Sequence, residues 1–281
     1  MINKSELKEL LIMAMIAGRI MLKNGAETYR VEDTILRLCK SRMNIKYAET
    51  FVTTTGIFLT VEYGEDVISY TYRIKSRKID LNKVAMVNDF SRRFVNSDMS
   101  IREGKSILGD IEKSTTYSKP INLLAGGASG GFFSLLFGGS FRDFVSAFII
   151  SLLLVGLIDF LDKKKFSFFI KNILGAMIIT VLSIISIEIG IGESLNMVII
   201  GSIMPLVPGV AITNAIRDSI SEDFLSGVSR GIEALIIALS IAFGVGIVLR
   251  FYISFLGGVH NVYGQAISIS SSFYNWLLHI I

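Results

Sequence analysis

Apolar positions fall into two rhythms along the chain. Leu7, Leu10, Leu11, Ala14, Gly18, Met21 and Leu22 recur at helical spacing, and Val31, Ile35, Leu38, Cys39 and Arg42 mark one side of a second helix over residues 27–42. Asn24-Gly25 separates the two: the glycine suits a helix stop, and the charge of Glu27 suits the next helix start. Between residues 48 and 74 the period becomes two. A Thr- and Val-rich run (51–55) precedes alternating Ile57, Leu59, Val61 and Tyr63, then Ile68, Tyr70, Tyr72 and Ile74, with a turn at Gly64-Glu65-Asp66. Two more helices are predicted. One covers residues 80–96 with Val84, Val87, Phe90 and Phe94 on its apolar side; the other opens at Ser100, with Glu103 three residues on as in a capping box. Two helices, a small antiparallel sheet and two helices make an α+β domain over residues 1–119.

Beyond residue 119 the apolar runs lengthen. Residues 121–141 carry no charge, 144–160 carry only Asp159, 172–187 are uncharged and lengthened by 166–170, 194–216 are uncharged, and 234–249 are uncharged with 231–233 leading in. A helix crossing roughly 30 Å of hydrocarbon needs about 20 such residues, so the pattern predicts an α-helical integral membrane domain of five spans over residues 120–256. Residues 257–281 lack Asp, Glu, Lys and Arg but hold several serines. They read as an interfacial tail anchored by Tyr274 and Trp276, with a sixth span through 264–281 as the rival.

Charge sharpens this division. The first 119 residues hold 20 of the 28 Lys and Arg and 15 of the 24 Asp and Glu, although the chain has 281 residues and is 51% hydrophobic. Topology therefore accounts for the net +4 better than nucleic acid does, because no clustered basic and aromatic pattern is present. Lys163, Lys164, Lys165 and Lys171 crowd the connection between spans two and three, whereas Glu188 and Glu193 stand without a base between spans three and four. The positive-inside rule then puts the N-terminal domain and residues 217–230 in the cytoplasm of a multi-pass plasma (inner) membrane protein. Cys39 is the one cysteine, which excludes an intrachain disulfide and CxxC metal sites; charges around residues 10–17 argue against a cleaved signal.

Candidate chemistry concentrates in span four. Pro205 and Pro208 lie within four residues, each removing a helix hydrogen bond, so the helix should be broken or strongly kinked partway through. Backbone groups freed there suit a polar substrate or an ion, although a packing kink without a ligand explains the prolines equally well. Asn214, Arg217 and Asp218 follow on one helical face, and Arg230 and Glu233 repeat the three-residue spacing before span five. A gate fits these residues, and so does an interfacial ion pair. Asp159 and Glu188 sit at opposite ends of spans, where proton coupling and simple interface marking are the alternatives. Gly126 with Gly130 and Gly127 with Gly131 read as close helix packing, since no strand precedes them and no Lys-Ser/Thr follows as in a phosphate loop. His260 and His279 lack partners suited to a metal, and no nucleophile motif is present, so neither an enzyme nor a cofactor is expected.

Taken together, Ala17-Gly18-Arg19, the block from Asn24-Gly25-Ala26-Glu27-Thr28-Tyr29-Arg30 to Asp33-Thr34, and the run from Pro208-Gly209-Val210 through Asn214-Ala215-Ile216-Arg217-Asp218 to Gly227 and Arg230 resemble the threonine/serine exporter family over residues 5–250. That resemblance implies an inner-membrane secondary exporter of a small polar metabolite, either a threonine/serine-type amino acid or, in a two-protein branch, a C4 dicarboxylate such as succinate. Proton coupling is expected, there being no ATP-binding loop. Fused members carry a second hydrophobic domain, so a separately encoded small membrane partner subunit is expected here. The resemblance marks Glu27 and Asp33 as a site in the cytoplasmic domain, and Pro208, Gly209, Asn214, Arg217, Asp218 and Arg230 as positions for substrate or gating. A membrane-anchored sensor or scaffold, with a ligand- or protein-binding cytoplasmic domain, is the alternative.

Overall fold

A computed structural model describes residues 4–41, 45, 47–75, 77–115 and 117–255, with the side chains of residues 4 and 255 outside the description. The tail reading of residues 257–281, including His260, His279, Tyr274 and Trp276, and the assignment of Arg42 lie outside these residues. The chain divides into two compact units, Met1–Ser118 with Pro208–Leu235, and Lys119–Val207 with Ile236–Ile281.

In the first unit, α1 (Lys4–Lys23) and α2 (Thr28–Lys40) precede β1 (Tyr47–Thr53), β2 (Gly56–Tyr63) and β3 (Asp66–Arg73), and α3 (Leu81–Val95) and α4 (Ile101–Lys113) follow. This is the predicted order. The sheet is antiparallel in the order β1-β2-β3. Its register places Val52 opposite Ile57, Leu59 opposite Tyr70 and Val61 opposite Ile68, so the alternating apolar residues of neighbouring strands share one face, as the period of two demands. Helix α1 is the centre of the core: Leu7, Leu10, Leu11, Ala14, Met21 and Leu22 are fully buried against neighbours that include Val31, Leu38 and Phe90. Gly25 ends the α1 turn at φ +96°, a conformation that a side chain would strain. Asp80 caps α3 by accepting from Lys83 N at 3.3 Å, and Ser100 caps α4 by accepting from Glu103 N at 3.2 Å.

The second unit contains α5 (Lys119–Leu136), α6 (Phe141–Lys163), α7 (Phe168–Glu188) and α8 (Leu195–Ile203), with a 3-10 turn at Met204–Leu206. Helices α5 and α6 approach through the glycines singled out for packing. A Cβ on Gly130 would lie 1.8 Å from Ser151 Oγ and 3.0 Å from Ala147 O, and one on Gly127 would lie 3.0 Å from Phe148 O. The start of α6 carries a full capping box between Ser140 and Asp143, and the same Asp143 carboxylate accepts Glu193 N and Ser194 N, each at 2.8 Å. Asp143 was not singled out in the sequence, although Ser140-x-x-Asp143 is a capping signature. Elsewhere the helices turn large apolar side chains outward, among them Leu153 on α6 and Ile185 on α7, as lipid-facing helices do.

By length and composition, three helices among the described residues can cross a membrane: α6, α7 and the long α10 (Phe224–Phe255) over Phe224–Ser254. A fourth span exists if α8 and α9 (Gly209–Ile220) count as one bent pair. Helix α5 has 18 residues, but its four glycines, Asn122 and Lys119 dilute the apolar character that the uncharged run 121–141 suggested. The uninterrupted stretch 194–216 is two helices. The chain becomes extended at Val207 (ψ 129°), and Pro208 (φ −80°, ψ 54°) stands at the N-cap of α9. A proline at that point lacks the N–H that would continue the helical ladder. The boundary between the units falls at this break and again within α10.

Candidate functional site

Helix α9 is inside out. Asn214 and Asp218, one turn apart, are its buried residues, while Ile212, Ile216 and Ile220 are 44%, 56% and 75% exposed on its other side. In a water-soluble core the polarity would be reversed. The first turns of α10 follow suit, with Phe224, Val228 and Ile232 exposed and Arg230 only 4% exposed. Gly227 permits the two helices to meet closely, since a Cβ there would stand 3.0 Å from Ala215 O and 2.2 Å from Ser219 Oγ.

The inward polar face meets the turn between α1 and α2. Asn214 Nδ2 donates to Gly25 O at 2.8 Å, and Arg230 Nη2 donates to Ala26 O at 2.8 Å. Thr28 donates twice to Asp218 Oδ1, from its N–H at 3.2 Å and its hydroxyl at 3.0 Å. These contacts have a simple cause. The first N–H groups of α2 and the carbonyls of the turn at Gly25 and Ala26 belong to no helical ladder and cannot stay buried unpaired. Glu27 stands at the N-cap of α2 but makes no side-chain cap; Asp218, 190 residues away in sequence, supplies the acceptor and the negative charge instead. Arg230 neutralises Asp218, with Nε 2.8 Å from Oδ2, although the N–H is misaligned for a hydrogen bond and both side chains are almost wholly buried.

Glu27 lines a cleft of about 520 Å³. Arg217 Nη1 donates to its Oε1, and Arg30 Nε lies 3.3 Å from its Oε2. Glu27 is 7% exposed in its side chain, whereas Arg217 is 52% and Arg30 39% exposed. Burial works against ionisation of Glu27, but its backbone hydrogen bond and the guanidiniums of Arg217 and Arg30 outweigh it and hold its pKa below the usual 4.5. Leu81, Val84 and Ala85 of α3 and Val210 of α9 give the cleft apolar walls, while Asn88 and Thr213 add polar groups.

The structure thus joins Glu27 with Asn214, Arg217, Asp218 and Arg230, which the sequence had assigned to separate regions. Gly209 lines the same cleft, Pro208 opens α9 beside it, and Pro205 lies in the 3-10 turn. Glu233 is apart, paired with Arg77 at 2.8 Å and partly exposed. Asp33 is not at the cleft: it pairs with Arg37 one turn along the solvent face of α2. Thr28 and Arg30 were passed over as site residues, although both stand in the quoted block. Glu32 was also missed; it accepts Val52 N at 2.8 Å, and burial raises its pKa against that hydrogen bond, with Asp223 and Asp218 adding to the rise. Asp159 pairs with Lys163 at 2.8 Å, and Glu188 accepts from Tyr252 Oη at 2.5 Å. Among the described residues no group of His, Cys, Asp or Glu is arranged to hold a metal ion.

Residues 12–252 match the model of the threonine/serine exporter family. Among curated proteins, the chain is 22% identical over 253 residues to a "Threonine/serine exporter" of Corynebacterium glutamicum, covering 87% of this chain and 52% of that protein, so it spans about half the length of that relative. It is 22% identical over 250 residues to the "Probable succinate transporter subunit YjjP" of Klebsiella aerogenes, covering 86% of this chain and 94% of that one. An uncharacterized protein of Schizosaccharomyces pombe is 24% identical over 195 residues, which cover 66% of this chain and 23% of the yeast protein. No solved structure matches. With the family model covering the glycine turn, the proline break and the buried Asp218–Arg230 pair alike, the chain belongs to the threonine/serine exporter family.

Proposed function

We propose that this chain is the larger, ligand-handling subunit of an inner-membrane secondary transporter that exports a small polar metabolite, with the N-terminal domain in the cytoplasm. The observation that carries the reading is the inward polar face of α9 and α10, locked onto residues 25–28 directly after a proline break. Such a break lets a short helix move about Val207-Pro208 without tearing a continuous hydrogen-bond ladder. The lock holds it by hydrogen bonds that a ligand in the neighbouring cleft can strengthen or replace. In this reading α5 is the first span, the bent pair the fourth and α10 the fifth.

One feature supports a partner subunit: the Klebsiella relative that the chain covers almost end to end is named as a subunit. The membrane partner then supplies the remainder of the pathway, and the proton gradient supplies the driving force. The sensor reading also has an observation in its favour, since the cleft is lined wholly by residues of the first unit.

Flux separates the two. Uptake of serine, threonine and succinate into inverted vesicles holding the chain and its genomic neighbour is followed, with and without a proton gradient. Under the transporter reading, Asn214→Ala abolishes gradient-dependent flux at unchanged membrane abundance. Absence of flux for all three compounds in the unmutated pair rejects the reading.

A further inference from the structure

The cleft has an unbalanced charge. Its lining contains one carboxylate, Glu27, and two guanidiniums, Arg30 and Arg217, and both oxygens of Glu27 are already engaged, Oε1 by Arg217 and Oε2 by Arg30. The acid is buried while the bases are open, so what the cleft offers an incoming molecule is positive charge and N–H donors. A guanidinium carries five N–H groups, and the hydrogen bond from Arg217 to Glu27 uses one of them. Asn88 adds an amide on α3, beside apolar walls from Leu81, Val84, Ala85 and Val210.

We infer that this cleft binds a short-chain carboxylate anion through Arg30 and Arg217, and that it favours such an anion over a zwitterionic amino acid. A carboxylate accepts the planar N–H pairs of a guanidinium and neutralises the surplus charge. An α-ammonium group meets two like charges, and the one acid that would balance it is already held on both oxygens. The methylene chain of the anion lies along the apolar wall, and a second carboxylate or hydroxyl reaches the Asn88 amide. Glu27 serves as a positioning residue that fixes the two guanidiniums at one point of the cleft wall. The inference rests on the transporter reading only in taking the bound anion as cargo; binding itself is measured separately.

Isothermal titration of the purified full chain in detergent, with succinate, butyrate and L-serine as probes at neutral pH, tests this. Succinate binds tightest, and L-serine binds at least about tenfold more weakly. Arg30→Gln and Arg217→Gln each weaken succinate about tenfold or more, while Arg217→Lys, which keeps the charge but loses the planar N–H pair, recovers only part of the loss. Both arginines are substantially exposed, and thermal melts of each variant confirm that the fold persists. Serine binding as tightly as succinate, or succinate affinity unaltered in both Gln variants, overturns the inference, and in either case vesicle flux by the unmutated pair still sustains the transporter reading. Arginine-dependent succinate binding without flux of any compound supports the inference and rejects that reading.

Discussion

Asp218 is a fully buried carboxylate that does three jobs at once: it accepts two hydrogen bonds from Thr28, completes the N-terminus of α2 and faces Arg230. Removing one member of a buried ion pair leaves the other charge without compensation, so Asp218→Ala should lower stability by about 3 kcal/mol. Asp218→Asn keeps an acceptor for Thr28 and should cost less than the alanine. Unfolding by denaturant in detergent checks both, and a cycle with Arg230→Ala should show that the two losses are far from additive. Glu27 predicts a pH dependence. Its folded pKa lies below 4.5, so its contribution is present above the unfolded value and is lost as pH falls below about 4.5 through the folded one. Glu32, with its pKa raised, acts in the opposite sense and favours the fold as it becomes protonated. Comparing thermal midpoints at pH 6 and pH 4, the decline on acidification should be smaller in Glu27→Gln than in the unmutated protein.

At the scale of elements, two helices depend on how closely a neighbour can approach. Any side chain at Gly130 drives α5 from α6, since both Ser151 and the backbone oxygen of Ala147 stand in its way. Gly130→Val should reduce the fraction of protein that is monodisperse in detergent, whereas Gly246→Ala, within α10, should be tolerated, because nothing lies within 4 Å of a Cβ there and its backbone is helical. The sequence made α1 to α4 and the three strands readable because their periods of 3.6 and 2 match a water-facing domain with one core. It made α9 misleading. Isoleucines at 212 and 216 close an uncharged run, which reads as the end of a span, yet the meaning of the helix lies in Asn214 and Asp218 on its opposite side. The broken ladder at Pro208 was legible from covalent chemistry alone, since a proline has no N–H wherever it is placed.

At the scale of the whole molecule, the transporter topology makes a sidedness prediction that the chain is well suited to test. Cys39 is buried and its thiol pKa is pushed up to about 12 by burial, so it should resist maleimides and leave an introduced cysteine as the one reactive site among the described residues. Glu65→Cys, in the β2–β3 turn, should label from the cytoplasmic side, and Glu193→Cys, in the connection before α8, from the opposite side. Labelling of both from one side would reject the proposed crossing of α5, α6 and α7 as three successive spans.

The sequence alone determined where charge is scarce, where the backbone must break, the order of elements in the N-terminal domain and, through the glycine and proline blocks, the family. Those features are local, following from periodicity, missing N–H groups and the hydrocarbon's intolerance of charge. Tertiary structure decided what Asp218 and Arg230 do. Their partners are backbone groups at residues 26–28, about 190 residues or more away, and no spacing along the chain records such a pairing. It also decided that Glu27 faces two arginines instead of capping its own helix, and that Asp33, in the same block, faces solvent. Both are carboxylates near one helix start, and only the packing of α9 against that start distinguishes them.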